Sequence, residues 1–166
     1  MSYQYVIGID PGLSGAIAVI DSTSRETTVI DMPVISVGKK NTLNLQALCQ
    51  FLEPYKDKDA ICLIEKVGAR PGQGVTSMFN FGKSYGALMG ILSALRIPYT
   101  EITPQSWKKV MMAGQPKEKD ASRYVAQQLF PDQDLSRKKD HGRADALLLA
   151  EYGIRQLVSA ETADVI

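Results

Sequence analysis

Three acidic residues stand where carboxylates are costly to bury. Asp10 closes the apolar run Tyr5-Val6-Ile7-Gly8-Ile9, Glu65 closes Ile61-Cys62-Leu63-Ile64, and Asp145 opens Ala146-Leu147-Leu148-Leu149-Ala150. A carboxylate beside an apolar run loses hydration unless it is paired or holds a cation. Each acid also has a plain structural use. Asp10 before Pro11-Gly12 caps a turn, Glu65 pairs with Lys66, and Asp145 complements a helix N-terminus. Together, and far apart in sequence, they point to one shared centre for hard divalent cations, which take oxygen ligands. Two such ions about 3.5–4 Å apart form a site that cleaves phosphodiesters.

The elements that must position these acids follow an α/β order. Residues 4–10 form a buried strand, and Pro11–Gly15 a turn. Ala16–Ile20 and Thr27–Ile30 are two further strands, giving an antiparallel meander. Residues 33–42 read as a loop. The spacing of Leu43, Leu45, Leu48, Phe51 and Leu52 predicts a helix over 43–54, ended by Pro54. Ala60–Glu65 is apolar throughout, as in a central strand buried on both faces. After a loop at 66–74 come a long helix at 76–95, a strand at Ile97–Ile102, and helices at 104–112 and 118–130. A final helix runs from Gly142 to about Val158. The expected architecture is a five-stranded mixed sheet, its first three strands antiparallel, covered by helices. It forms one domain over 1–166, with a core at about 4–158 and a flexible tail at 159–166.

Composition narrows the class. With 45% hydrophobic and 22% charged residues among 166, the chain suits one globular domain with a full core. Its start has neither the basic nor the apolar segment of a signal peptide, and no apolar run approaches the ~20 residues that span a membrane. Cys49 and Cys62 match no metal or disulfide pattern and read as thiols in a reducing compartment. Net charge is +1, but between Gln105 and Arg143 nine Lys or Arg stand against five Asp or Glu, leaving ten against thirteen elsewhere. That local basic surface, close to Asp145, suits a phosphate backbone as well as a solvated helix face.

The motifs Ile7-Gly8-Ile9-Asp10-Pro11-Gly12, Ile64-Glu65, Phe81-Gly82-Lys83-Ser84-Tyr85-Gly86 and Ala144-Asp145-Ala146-Leu147 follow one another in the order of a known family. The chain resembles the RuvC Holliday junction resolvases of the RNase H-like superfamily, and most of all their compact, phage-borne members. The resemblance covers about residues 4–155 and implies an RNase H-like fold. It implies Asp10, Glu65 and Asp145 as ligands of Mg²⁺ or Mn²⁺, two ions per site, with His141 as the fourth ligand and Asp140 as its alternative. It implies Lys119 at the scissile phosphate, with Lys109 as the other matching base. Lys108, Lys117, Arg123, Lys138, Lys139 and Arg143 become candidate backbone contacts. A homodimer joined through the 76–95 helix, a cytoplasmic site in a bacterial or phage-infected cell, and action on four-way DNA junctions complete the expectation. Cleavage leaves 5′-phosphate and 3′-hydroxyl ends.

One departure stands out. Bacterial members of the family place an aromatic residue soon after the catalytic Glu, whereas Lys66-Val67-Gly68-Ala69-Arg70 has none. Arg70 or Gln73 is then the candidate to contact bases there. Three alternatives remain at this level: an RNase H-like nuclease for flaps or other branched DNA or RNA substrates, an actin-like ATP-binding domain, and a non-catalytic DNA-binding module. The ATP-binding architecture needs two such domains, and the chain has length for one.

Overall fold

A computed structural model of the chain describes residues 3–163. Seven strands occur in order: β1 (Tyr5–Asp10), β2 (Ala16–Asp21), β3 (Thr27–Asp31), β4 (Val34–Val37), β5 (Lys40–Leu43), β6 (Ala60–Glu65) and β7 (Tyr99–Ile102). The helices are α1 (Leu45–Leu52), α2 (Val75–Ala94), α3 (Pro104–Met111), α4 (Ala121–Leu129) and α5 (His141–Ala163). Five strands form the central sheet in the order β3-β2-β1-β6-β7, and β4 and β5 form a separate hairpin. β1 pairs with β2, and β2 with β3, antiparallel, while β1–β6 and β6–β7 are parallel. β1, β3, β6 and β7 therefore all end at the same edge of the sheet. Asp10, Asp31 and Glu65 sit on that edge.

The period of two along a strand decides which way each acid points. Ile7, Ile9, Cys62 and Ile64 pack on one face with Leu48 and Leu52 of α1 and Leu88 and Leu92 of α2. Val6 and Leu63 pack on the other face with Trp107 of α3, Ala126 of α4 and Leu147 of α5. Asp10 and Glu65 share the parity of Val6 and Leu63, so both face α5. Burial on both faces explains why β1 and β6 read as unbroken apolar runs.

α5 lies on β1 with almost no gap. A Cβ built on Gly8 would meet Ala146 O at 2.2 Å and Ala150 N at 2.7 Å. One on Gly142 would meet Ser14 O at 2.5 Å. Helix backbone thus rests on strand backbone at Gly8, and the helix start rests on the turn after Asp10. Glu151 holds the same helix further along, where Arg25 Nη2 meets its Oε2 at 2.6 Å. Local caps agree with this order: Asn44 Oδ1 accepts from Ala47 N at the start of α1, and Thr103 caps α3 ahead of Pro104.

Two expectations change. Residues 33–42 are largely the β4–β5 hairpin, not a loop. Four-residue strands in a ribbon exposed over residues 34–41 leave little apolar alternation to read. The last helix is longer than expected. It starts at His141 and continues past Val158 to Ala163, so 159–163 are helical. The rest of the expected flexible tail, 164–166, lies outside the described residues. No helix among the described residues is long and apolar enough to cross a membrane.

Gly8→Ala tests the α5–β1 contact. The added methyl would meet backbone, which cannot rotate aside, so a loss of about 1–3 kcal/mol in urea unfolding is expected. Unchanged stability would contradict the close crossing.

Candidate active site

Asp10, Glu65 and Asp145 come together from three elements. Asp10 is set by the end of β1, Glu65 by the end of the neighbouring β6, and Asp145 by the second turn of α5 laid over Gly8. Their charges act on one another. Burial, then the Glu65 charge, raises Asp10 to about 6, against weaker lowering by the Gly12 N–H and Lys108. Burial, then the charges of Asp10 and Glu65, raises Asp145 to about 7, against weaker lowering by Lys108 and the Ser122 hydroxyl. Asp145 Oδ1 is buried with no hydrogen-bond partner. An unpartnered buried carboxylate oxygen is costly, and a cation is the ligand that offsets it best. Among the described residues, no three His, Cys, Asp or Glu side chains form a ready-made chelate. The acids interact at charge–charge range, and ligation would require their side chains to draw closer. The donor set itself, carboxylate oxygens at partly buried positions, fits Mg²⁺ or Mn²⁺.

Glu65 has a fixed orientation. Trp107 is fully buried, and its Nε1 donates to Glu65 Oε2 at 2.7 Å. The Lys108 ammonium lies 5.4 Å from the Trp107 ring centre. α3 thus supplies both an orienting donor and a nearby cation. Trp107 escaped the sequence reading, although the chain's one Trp needs a partner for its N–H once buried.

His141 opens α5 four residues before Asp145, on the same side of the helix. Its Nε2 lies 3.3 Å from Asp120 Oδ1. The alternative, Asp140, is not available. It is 0% exposed, its Oδ2 accepts from Arg137 N at 2.7 Å, and its Oδ1 accepts from Arg137 Nε at 2.8 Å. Both oxygens already serve to hold the entry to α5.

Two candidate DNA contacts also prove to be internal ties. Arg143 Nε donates to Asp31 Oδ1 at 2.6 Å, and Arg137 Nη2 reaches both Asp31 oxygens at 3.0 Å. Burial pushes Asp31 up, but the two arginines outweigh it and hold the carboxyl below its ordinary value. Arg123 donates to the Arg137 carbonyl at 2.9 Å and pairs with Asp120. These guanidinium groups fasten α5 and the segment before it to β3 and α4. Lys109, Lys117, Lys119, Lys138, Lys139, Arg70 and Gln73 are exposed, as a DNA contact requires. Lys119 stands in the turn ahead of α4, whereas Lys108 is the cation whose charge reaches Asp10 and Asp145. Two surface concavities, one beside Arg25 and Gln133 and one beside Tyr5 and Asp21, lie toward the opposite end of the sheet. Asp10, Glu65 and Asp145 stand at the other end, where β1 and β6 finish, each half-buried.

Known proteins share this frame. The chain aligns over 92% of its length with Thermus thermophilus RuvC in complex with a Holliday junction substrate, at a TM-score of 0.60 and 13% identity, covering 96% of that chain. Thermus thermophilus RuvC alone gives 0.58 at 16% identity, over 93% of this chain and 96% of that one.

The chain has the RuvC fold.

The yeast mitochondrial Holliday junction resolvase Ydc2 shares the fold as well, with a TM-score of 0.57 and 16% identity over 92% of this chain and 78% of that one. In sequence, the domain is 36% identical over 113 residues to the chloroplastic Holliday junction resolvase MOC1 of Chlamydomonas reinhardtii. That match covers 65% of this chain and 13% of the relative's length. No protein-family model matches the chain.

The raised carboxyls set a pH dependence. The folded protein keeps protons on Asp10 and Asp145 up to pH about 6 and about 7, while the unfolded chain releases them near 3.8. Between those limits the folded state binds more protons, so metal-free stability falls as pH rises from about 4 to about 7, by on the order of a few kcal/mol. Urea unfolding across that range should show this slope in EDTA, and the Asp10→Asn/Asp145→Asn double variant should flatten it. A flat wild-type profile would contradict the burial of the pair.

Proposed function

We propose that this chain is a divalent-metal-dependent endonuclease that resolves four-way (Holliday) DNA junctions by paired phosphodiester hydrolysis. The observation that carries the reading is the meeting of Asp10, Glu65 and Asp145, with Asp145 Oδ1 buried and unpartnered, at the C-terminal ends of the two neighbouring inner strands of the sheet. Sequence similarity to a Holliday junction resolvase supports the substrate class.

Asp10, Glu65 and Asp145 are the proposed ligands of two Mg²⁺ ions, with Mn²⁺ as a substitute. Bound divalent ions supply Lewis-acid stabilisation of phosphodiester charge and a more acidic attacking water. Trp107 holds the Glu65 carboxylate in one orientation. His141 would complete the set; its Nε2 already faces Asp120 at 3.3 Å, a partner of the kind that orients a ligating imidazole. Lys108 and Lys119 offset negative charge as it develops on the phosphate. Lys109, Lys117, Lys138, Lys139, Arg70 and Gln73 contact the flanking backbone and bases. The products carry 5′-phosphate and 3′-hydroxyl ends.

The working unit is a homodimer joined through α2, so that two sites cut opposed strands. Support comes from α2. Val75 and Phe79 are 87% and 70% exposed, and Gly82, Gly86 and Gly90 continue the same outward row with open space at each Cβ position. Such a row permits close approach of a second helix. Cys49 and the buried Cys62 are free thiols. They suit a reducing compartment such as the cytoplasm of a bacterial or phage-infected cell. The loop at 66–74, without an aromatic residue, keeps one second reading in play, an RNase H-like nuclease for flaps or other branched DNA or RNA.

Asp10→Asn, Glu65→Gln and Asp145→Asn should each abolish Mg²⁺-dependent cleavage of a four-way junction, with junction binding retained in gel-shift assays. Cleavage retained in all three would sink the proposal. Trp107→Phe keeps the ring and removes the donor, so divalent-ion affinity should fall about 10-fold or more by calorimetry. Unchanged affinity would remove Trp107 from the site.

A further inference from the structure

The β4–β5 hairpin leaves the sheet at the edge that carries the acids. β3 ends at Asp31, in register with Ala16 and hence with Asp10. Met32 and Leu43 anchor the hairpin base in the core, and Asn44 N donates to Pro33 O at 2.9 Å across it. Beyond the base, residues 34–41 are all exposed. Gly38, at φ +64°, forms the two-residue turn with Lys39.

Pairing of Ile35 with Thr42 and of Val37 with Lys40 puts these four side chains on the face opposite buried Leu43. Val37 is 63% exposed. The segment 32–44 contains Lys39 and Lys40 and no acid. The acid just before it, Asp31, is neutralised by Arg137 and Arg143. The single 3-10 turn Lys138–Asp140, which carries Lys138 and Lys139, follows Arg137. Four residues of strand extend about 13 Å, or roughly four base-pair steps of duplex. A two-stranded ribbon is also a shape that the major groove admits.

We propose that the β4–β5 hairpin is a second DNA-binding element, which grips the duplex arm of a branched substrate a few base pairs from the cut. Lys39 and Lys40 meet backbone phosphates, and Val37 and Ile35 lie against the groove. This inference rests on the nuclease reading above.

The test measures binding of a four-way junction with 20-bp arms, and of a linear duplex, in Ca²⁺ from 50 to 200 mM salt. The proteins are the wild type, Lys39→Gln/Lys40→Gln, and the control Lys56→Gln/Lys58→Gln, which removes equal charge ahead of β6, at the far end of the sheet. Loss of two phosphate contacts lowers the salt slope by about 1.8, so the hairpin variant should lose about tenfold more affinity at 50 mM than at 200 mM. The control should keep the wild-type slope. Ethylation interference should lose signals a few base pairs from the cut only in the hairpin variant. Equal slopes for the hairpin variant and wild type, with junction preference intact, would overturn the hairpin inference alone. Equal slope losses in both variants would overturn it too, as would dissociation of the hairpin variant into monomers in sedimentation, which would make the ribbon a subunit contact. A wild type that shows no preference for the junction over linear duplex would overturn the underlying reading and the inference with it.

Discussion

The contact between α5 and β1 governs the rest of this molecule. Gly8 lets helix backbone reach strand backbone, with Ala146 O only 2.2 Å from where a Cβ would sit. That approach delivers Asp145 to the face shared by Asp10 and Glu65. It also takes part of the hydration from Asp10 and Asp145. Two carboxyls are left with raised proton affinity, and one oxygen with no partner. The fold thereby concentrates destabilising charge at one point, and a divalent cation is the species that would convert that strain into a site.

The surroundings keep the charge cluster in place. On one side, Trp107 fixes Glu65 by a hydrogen bond from a fully buried ring. On the other, Asp31, Arg137, Asp140 and Arg143 bind β3 to the entry of α5. Breaking such a network leaves a buried charge without a partner, which is strongly unfavourable. The arginines nearest the acids therefore act first as fasteners. Lysines on the exposed turns are left to meet a phosphate backbone.

Much of this was legible in the sequence because burial and alternation leave a trace. β6 falls where its apolar run begins and ends, from Ala60 to Glu65. The parity of Asp10 and Glu65 follows from the same runs, and the order of the acids carried the family resemblance. Other parts were not legible. The β4–β5 ribbon is short and exposed beyond its base, and Leu43 alone of its residues is buried, too few to show a pattern. Asp140 and His141 are adjacent in sequence, and only the fold shows that Arg137 occupies one of them. Trp107 meets Glu65 across a separation of 42 residues, a pairing that no local pattern encodes.

The central claim is that these three carboxylates form one metal centre for cutting branched DNA. Mapping the nicks made in a mobile four-way junction, with Mg²⁺ and then with EDTA, tests it most directly. The account predicts paired, symmetric nicks with 5′-phosphate ends that vanish in EDTA. Cleavage that persists in EDTA, a single nick, or an intact junction in Mg²⁺ would contradict it.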